Sequence, residues 1–262
     1  MKRTYVTVIS TDNYLPGVLA LERNIREVCS YPLIVMLPQG LNEKTYMELS
    51  HRNIPFIFAD DIEAPKEMLH ATEEHSWFGH WAKTFFKLRI FDLTEYEKIV
   101  FVDCDMILLE SIDGLFELPH MSATIGGKSY PGNEHFSELN SGILTIVPEE
   151  GLSGKIAAFI PEVAKNKSVF GDQDVMQAYF KDWAQNPELI MSEWYNVFFS
   201  HYHYYSKKKP VKGVHFIGRK KPWMMNKFDV LREYVRCLIK GNAKGITILR
   251  KYRKLLKEVS AL

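Results

Sequence analysis

Two carboxylates one residue apart, Asp103 and Asp105, stand where an apolar run breaks. The run before them, residues 99–102 (IVFV), is rich in β-branched side chains and reads as a buried parallel strand. Open α/β sheets bind ligands at the carboxyl ends of such strands. A carboxylate pair there can share one hard divalent cation, which also takes phosphate oxygens. D-x-D equally fits a strand that ends in a solvated turn, so the pair needs support from the rest of the chain.

Other residues of chemical interest are spread along the sequence. Asn140 stands at the mouth of a strand over 140–147 (NSGILTIV), followed by Ser141 and Gly142. Asp172 and Gln173 belong to a GDQD turn that opens a helix over 175–183. Acids at a helix N-terminus are favourable in themselves, with or without a ligand. His215 lies in a last strand over 211–217 (VKGVHFI), where a lone histidine is as readily structural as a ligand. Gly218 and Lys221 follow it. A helix over 81–93 has an apolar face (Trp81, Phe85, Leu88) and carries Lys83, Lys87 and Arg89. Beside a diphosphate site such a base is useful; on a solvated face it is ordinary. His70, His75 and His80 sit in a polar, irregular stretch and read as loop histidines.

The elements that must position these groups alternate. A strand over 5–9 ends in a polar loop, Ser10 to Tyr14, and leads into a helix over 15–28 with apolar residues at helical spacing. A strand over 32–37, a helix over 41–52 and a strand over 54–58 follow. This βαβαβ order predicts a parallel sheet with right-handed crossovers. The N-terminal layout suits a nucleotide, with Tyr14 placed to stack on a base, although neither G-x-G-x-x-G nor a P-loop is present. A short helix over 112–116, a strand over 123–127, a loop to 139 and a helix over 152–164 complete the middle of the chain.

The 262 residues suit one large α/β domain, or one domain with a tail. Cys29, Cys104 and Cys237 are widely spaced and fit a reducing compartment. The start, MKRTYVTVIS, reads as a strand rather than a secretory leader, and no apolar run reaches the ~20 residues of a membrane span. The net charge of +1 hides an asymmetry: residues 207–262 hold 17 Lys and Arg against 3 Asp and Glu, leaving 16 against 29 in residues 1–206. The chain is thus −13 in its first part and +14 in its last, which points to an anionic ligand or surface. Residues 229–262 read as two basic amphipathic helices broken at Asn242 and Gly245. One has an apolar face of Leu231, Tyr234, Val235 and Leu238, the other of Ile248, Tyr252, Leu255, Leu256 and Val259.

Taken together, the acid pair, the NSG strand, the GDQD turn and the HFIGRKKPW segment resemble the retaining glycosyltransferases of family 8. That family includes glycogenin, galactinol synthases and bacterial lipopolysaccharide sugar transferases, and the resemblance runs over about residues 3–225. It implies a GT-A type α/β fold, with a mostly parallel central sheet and helices on both faces. The division expected is a catalytic domain over 1–226 and basic C-terminal helices over 227–262. The resemblance also implies a UDP-hexose donor, Mn²⁺ (or Mg²⁺) and a saccharide or lipid-linked saccharide acceptor, with no nucleic-acid partner.

Residue by residue, the family's metal ligands fall on Asp103, Asp105 and His215, with Cys104 between the acids. Two carboxylates and an imidazole suit Mn²⁺. The uridine pocket falls on Val8, Ser10, Thr11 and Tyr14, although Ile9 and Thr11 stand where glycogenin has threonine and asparagine. Lys87 matches a base that contacts the donor, with Lys83 as its alternative. Asn140, Ser141 and Gly142 match the family's amide strand, and Asp172 and Gln173 match the pair at the sugar. Gly218 and Lys221 match the diphosphate contacts. In the implied chemistry Lys221 stabilises the leaving group and Asp172, or else Gln173, faces the anomeric carbon.

The expected function is retaining hexose transfer in surface polysaccharide or lipopolysaccharide synthesis. The expected place is the cytoplasm, peripheral on the inner face of an anionic membrane through 227–262. Transfer to a polyol, as in galactinol synthesis, is an alternative. Self-glycosylation on Tyr202, Tyr204 or Tyr205 is another, and a non-catalytic sugar-nucleotide binder is the reading from outside the enzymes.

Overall fold

A computed structural model describes residues 2–63, 83–167, 169–218 and 220–261. His70, His75, His80 and Trp81 lie outside the described residues. The N-terminal half alternates as its patterning predicts: β1 (Arg3–Val8), α1 (Leu15–Val28), β2 (Leu33–Leu37), α2 (Glu43–His51) and β3 (Phe56–Phe58). β1 lies between β2 and β4 (Lys98–Val102), parallel to both. Ile99 to Val102 are fully buried, and successive side chains enter different clusters. Ile99 and Phe101 join one with Phe85, Leu144 and Met176. Val100 and Val102 join another with Leu21, Ile25 and Phe116. A strand covered on both faces needs this unbroken apolar run.

The chain then leaves the large sheet. After Asp103-Cys104-Asp105 it enters β5 (Met106–Leu108), which belongs to a second sheet of three strands. β10 (Gly213–His215) pairs antiparallel with β5, and β9 (Val197–Phe198) pairs parallel with β10. β5 is an edge strand, and the Asn24 amide of α1 closes it, donating to the Leu108 carbonyl (3.0 Å) and accepting from the Leu108 amide (2.6 Å). The large sheet continues through β7 (Leu139–Ile146), antiparallel to both β4 and β6 (Ser122–Ile125), and ends at β8 (Ile190–Met191), parallel to β6. The strand order is β3-β2-β1-β4-β7-β6-β8, a mixed sheet with more parallel than antiparallel pairs.

Several elements differ from the sequence-based expectation. Residues 83–92 form a 3₁₀ helix (Lys83–Asp92) rather than an α-helix. The expected helix over 152–164 is two, α3 (Leu152–Ala157) and α4 (Ile160–Asn166). Pro161 in the first turn of α4 has no N–H to continue the ladder of α3, so the chain restarts there. The next helix, α5 (Asp172–Tyr179), begins one turn earlier than the apolar pattern suggests, because the Asp174 carboxylate accepts the Gly171 N–H (2.9 Å) and caps it. A single turn, α6 (Tyr202–Tyr205), precedes β10.

The two C-terminal helices, α7 (Lys227–Ile239) and α8 (Ala243–Ser260), part at Asn242 as expected, whereas Gly245, the other expected break, lies inside α8. Their apolar faces have different surroundings. Ile248, Leu249, Tyr252 and Leu255 of α8 are buried with Ala20, Val214 and Phe216, and Val259 packs beside Val18 and Leu19 of α1. The face of α7 carrying Phe228, Leu231, Val235, Leu238 and Ile239 is exposed, Phe228 by 82% and Ile239 by 81%. No helix among the described residues is long and apolar enough to cross a membrane.

Candidate active site

The acid turn is the crossing between the two sheets, and each sheet contributes to the cluster around it. Pairing of His215 with Met106 brings the imidazole alongside Asp105. His215 Nε2 lies 3.0 Å from Asp105 Oδ1 and 3.8 Å from Asp103 Oδ2. One ligand atom from each of Asp103, Asp105 and His215 falls within 4.8 Å of the others, a spacing that can hold one cation. Gly142, on the neighbouring strand β7, permits this approach. A Cβ there would stand 2.5 Å from His215 Cε1.

The imidazole is oriented from behind. Asn196 is buried, and its Nδ2 donates to Asn140 Oδ1 (2.7 Å) and Thr124 Oγ1 (3.2 Å). Its carbonyl oxygen therefore faces His215 Nδ1 at 3.0 Å, which makes Nδ1 the donor. Nε2 is thereby the ring nitrogen that faces the acids, the one a cation bound among them would use. Asn196 was not singled out in the sequence. Its one signal is an amide at the head of an otherwise aromatic and apolar strand.

Two lysines balance the carboxylates. Lys87 Nζ lies 3.1 Å from Asp103 and 3.0 Å from Asp172, and it also donates to the Ser141 carbonyl (3.1 Å). The 3₁₀ geometry puts Lys87 here. With three residues per turn Thr84 and Lys87 share one side, and Thr84 Oγ1 accepts the Asp172 N–H (3.1 Å). Lys87 is thus a buried ion and not a base on a solvated face. Lys83 is exposed. Burial by itself would lower the Lys87 pKa, but Asp103 and Asp172 outweigh it and hold the ammonium above the ordinary lysine range. Lys221 Nζ lies 2.6 Å from Asp105. Burial raises the Asp105 carboxyl, but His215 and Lys221 prevail and hold it well below the usual carboxylate range. Burial pushes Asp103 upward, and Lys87 only partly opposes that.

The remaining expected residues surround this centre. Val8, the last residue of β1, and Asp103 stand at the same level, two residues beyond the paired Val6 and Phe101. Ser10, Thr11 and Tyr14 follow Val8, and the Tyr14 ring meets Trp223 edge-on at 5.7 Å. Gly218 has φ +125, a value that glycine tolerates. Cys104 is in the core cluster with Ile9, Val18 and Leu37, and burial raises its thiol. Ser141 Oγ donates to Asp172 Oδ2 (2.8 Å). Gln173 Oε1 accepts from Asn140 Nδ2 (3.3 Å) and the Ser141 N–H (3.2 Å). Gln173 and Asn140 also line a cavity of about 400 Å³ with His135, Phe136, Glu138 and Phe198. Of the three candidate acceptor tyrosines, Tyr205 is buried and donates to Glu193, while Tyr202 and Tyr204 are half-buried.

This architecture is the GT-A fold of sugar-nucleotide transferases. The galactosyltransferase LgtC, solved with donor and acceptor sugar analogs, superposes with a TM-score of 0.64 at 15% identity, over 97% of this chain and 95% of that one. The glycosyltransferase GlyE of Streptococcus pneumoniae TIGR4 does so with a TM-score of 0.60 at 19% identity, over 98% and 63%. The profile described as Glycosyl transferase family 8 matches residues 5–227, and the chain belongs to this family. Glycogenin of Komagataella phaffii is 26% identical over 242 residues, which cover 86% of this chain and 58% of that protein. Inositol phosphorylceramide glucuronosyltransferase 1 of Arabidopsis thaliana is 26% identical over 183 residues, 70% and 31% of the two chains. The chain thus spans less than two thirds of the length of these curated relatives.

Replacing Lys87 by Met should leave the buried Asp172 and the partly buried Asp103 without their shared counter-charge. In metal-free buffer at neutral pH the expected loss is about 3 kcal/mol or more, read from urea unfolding. Without Lys87 the Asp103 carboxyl, already pushed upward by burial, binds its proton more tightly folded than unfolded, so the deficit against wild type should shrink as the pH falls from neutral toward about 4. Equal stability of the two proteins at pH 7 would show that Lys87 does not balance the acids.

Proposed function

We propose that this protein moves a hexose from a UDP-sugar to a saccharide acceptor with retention of configuration, using a divalent cation, foremost Mn²⁺, at Asp103, Asp105 and His215. The observation that carries the reading is the convergence of two carboxylates and an imidazole whose Nε2 faces them while Nδ1 is held by Asn196. Oxygen and nitrogen donors of this kind suit Mn²⁺, and the three protein ligands leave positions for diphosphate oxygens. A cation bound there supplies Lewis-acid stabilisation of the departing diphosphate.

The chain's own residues do the rest. Val8, Ser10, Thr11 and Tyr14 bind the uridine at the end of β1. Lys221, now paired with Asp105, is placed to turn to the diphosphate and meet the charge that grows on it in the transition state. Asn140 and Gln173 border the cavity and position the sugar. Asp172 is held by Lys87 and Ser141, which offsets its charge and weakens it as a nucleophile. Gln173 is the member of that pair which lines the cavity. This arrangement favours attack by the acceptor on the same face from which UDP leaves, with Asp172 and Lys87 acting as fixed charges.

For the acceptor, the surface of α7 supports a lipid-linked saccharide. Its apolar face is uncovered among the described residues, and Lys227, Arg232 and Arg236 on the helix and Lys240 just beyond it are exposed. A helix of this kind lies in the headgroup region of an anionic leaflet, where each base contributes on the order of 1 kcal/mol. The apolar face of α8 is spent within the fold, so the contact is assigned to α7.

The test of the reaction is UDP release from a panel of UDP-hexoses with MnCl₂. One donor should be hydrolysed slowly, and Asp105→Asn or a chelator should reduce the rate on the order of 100-fold. Release that ignores both would overturn the metal assignment. The membrane contact is read by sedimentation with vesicles. Binding to anionic but not neutral vesicles is expected at low salt, weakened at high salt and lost in Leu231→Glu/Leu238→Glu without a change in melting temperature. A wild type that stays in solution with anionic vesicles at low salt would remove this support for a lipid-linked acceptor.

A further inference from the structure

The backbone of the acid turn has three carbonyls to satisfy at the sheet crossing. The Asp103 carbonyl accepts the Met106 N–H (3.1 Å) and the Asp105 carbonyl accepts the Phe216 N–H (2.9 Å). The Cys104 carbonyl, between the two acids, accepts from a side chain 148 residues away, the hydroxyl of Tyr252 at 3.2 Å. Tyr252 belongs to α8, beyond the matched family segment that ends at residue 227.

We propose that Tyr252 is a positioning residue for the metal carboxylates, setting the peptide plane between Asp103 and Asp105 from the C-terminal helix. The proposal rests on the reading of those acids as cation ligands. Tyr252 is fully buried, and burial raises its phenol well above the ordinary tyrosine range, so the hydroxyl keeps the proton it donates. Its ring also reaches the two other segments that build the site. It meets Phe216, next to His215, edge-on at 5.1 Å, and it faces Trp223 at 6.3 Å. The Trp223 indole N–H in turn donates to the Asn13 carbonyl (2.9 Å) in the loop before Tyr14. One side chain thus couples the acid turn, the histidine strand and the nucleotide loop.

The ring and the hydroxyl have separable duties. Phenylalanine keeps the contacts with Phe216 and Trp223 and loses only the bond to Cys104. The buried carbonyl is then unpaired, and the peptide that carries Asp105 is free to rotate away from its geometry. Outer partners of metal ligands typically change metal affinity 10- to 100-fold, and the effect here should lie at the lower end because the contact is to backbone.

The experiment titrates Mn²⁺ in the presence of UDP, with free Mn²⁺ read by electron paramagnetic resonance, on wild type, Tyr252→Phe and Ile248→Val. Ile248 is buried on the same helix and removes a methyl without touching the turn. The expected result is an Mn²⁺ Kd raised about tenfold in Tyr252→Phe and unchanged in Ile248→Val, although both variants melt at somewhat lower temperature than wild type. Wild-type affinity in Tyr252→Phe, or equal weakening in Ile248→Val, overturns the positioning role and leaves the metal site intact. A wild type that binds no Mn²⁺ with UDP overturns the metal reading, and this role with it.

Discussion

Three carboxylates, Asp103, Asp105 and Asp172, share a small volume with two ammonium groups and an imidazole, and the rest of the structure accommodates that concentration of charge. At about 3 Å and an effective dielectric near 20, each attraction is about 5 kcal/mol, while taking each ion out of water costs several kcal/mol. The gain and the cost are of the same size. Such a network contributes little net stability compared with an apolar core, and the burial of Ile99 to Val102 directly before it supplies what the fold needs. The charges therefore make sense as a site rather than as a brace. Lys87 is divided between Asp103 and Asp172, and Lys221 is committed to Asp105. A cation and a diphosphate would redistribute these pairings, because they bring both signs of charge to the same place.

Geometry follows from the crossing between sheets. A strand end in one sheet offers carboxylates on a turn, and a strand in the other offers an imidazole, so the cluster exists only while β5 and β10 stay in register. Gly142 leaves room for His215, and Asn196 holds Nδ1 so that Nε2 faces the acids. The amide chain Gln173–Asn140–Asn196–His215 ties the cavity side of the site to its metal side. A sugar held at Gln173 and a cation held at His215 would thus be linked through four side chains.

The parts of this arrangement that were legible in the sequence are those with a strong local period or spacing. The alternation from β1 to β3, the buried β4 and the D-x-D at its end could be read directly, and the family resemblance singled out His215 and Lys221, which lie beside the acid pair in the structure. The resemblance singled out Lys87 but not as a buried bridge, because that depends on a 3₁₀ spacing which the apolar pattern does not distinguish from an α-helix. Asn196 had no signal beyond its neighbours, since its value comes from strands far away in sequence. The C-terminal helices are the sharpest case. Residues 227–239 and 243–260 have similar amphipathic patterns, yet α8 is core and α7 is open. Amphipathicity states that an apolar face exists and not what covers it.

The central claim is that Asp103, Asp105 and His215 hold a divalent cation which in turn holds the donor diphosphate. Crystals grown with MnCl₂ and UDP, measured with X-rays near the manganese absorption edge, address it directly. The account predicts a single anomalous peak between Asp103, Asp105 and His215 Nε2, at ordinary ligand distances and shared with diphosphate oxygens, with Lys221 turned from Asp105 toward the phosphates. UDP bound at the end of β1 with no anomalous peak at these three residues would contradict it.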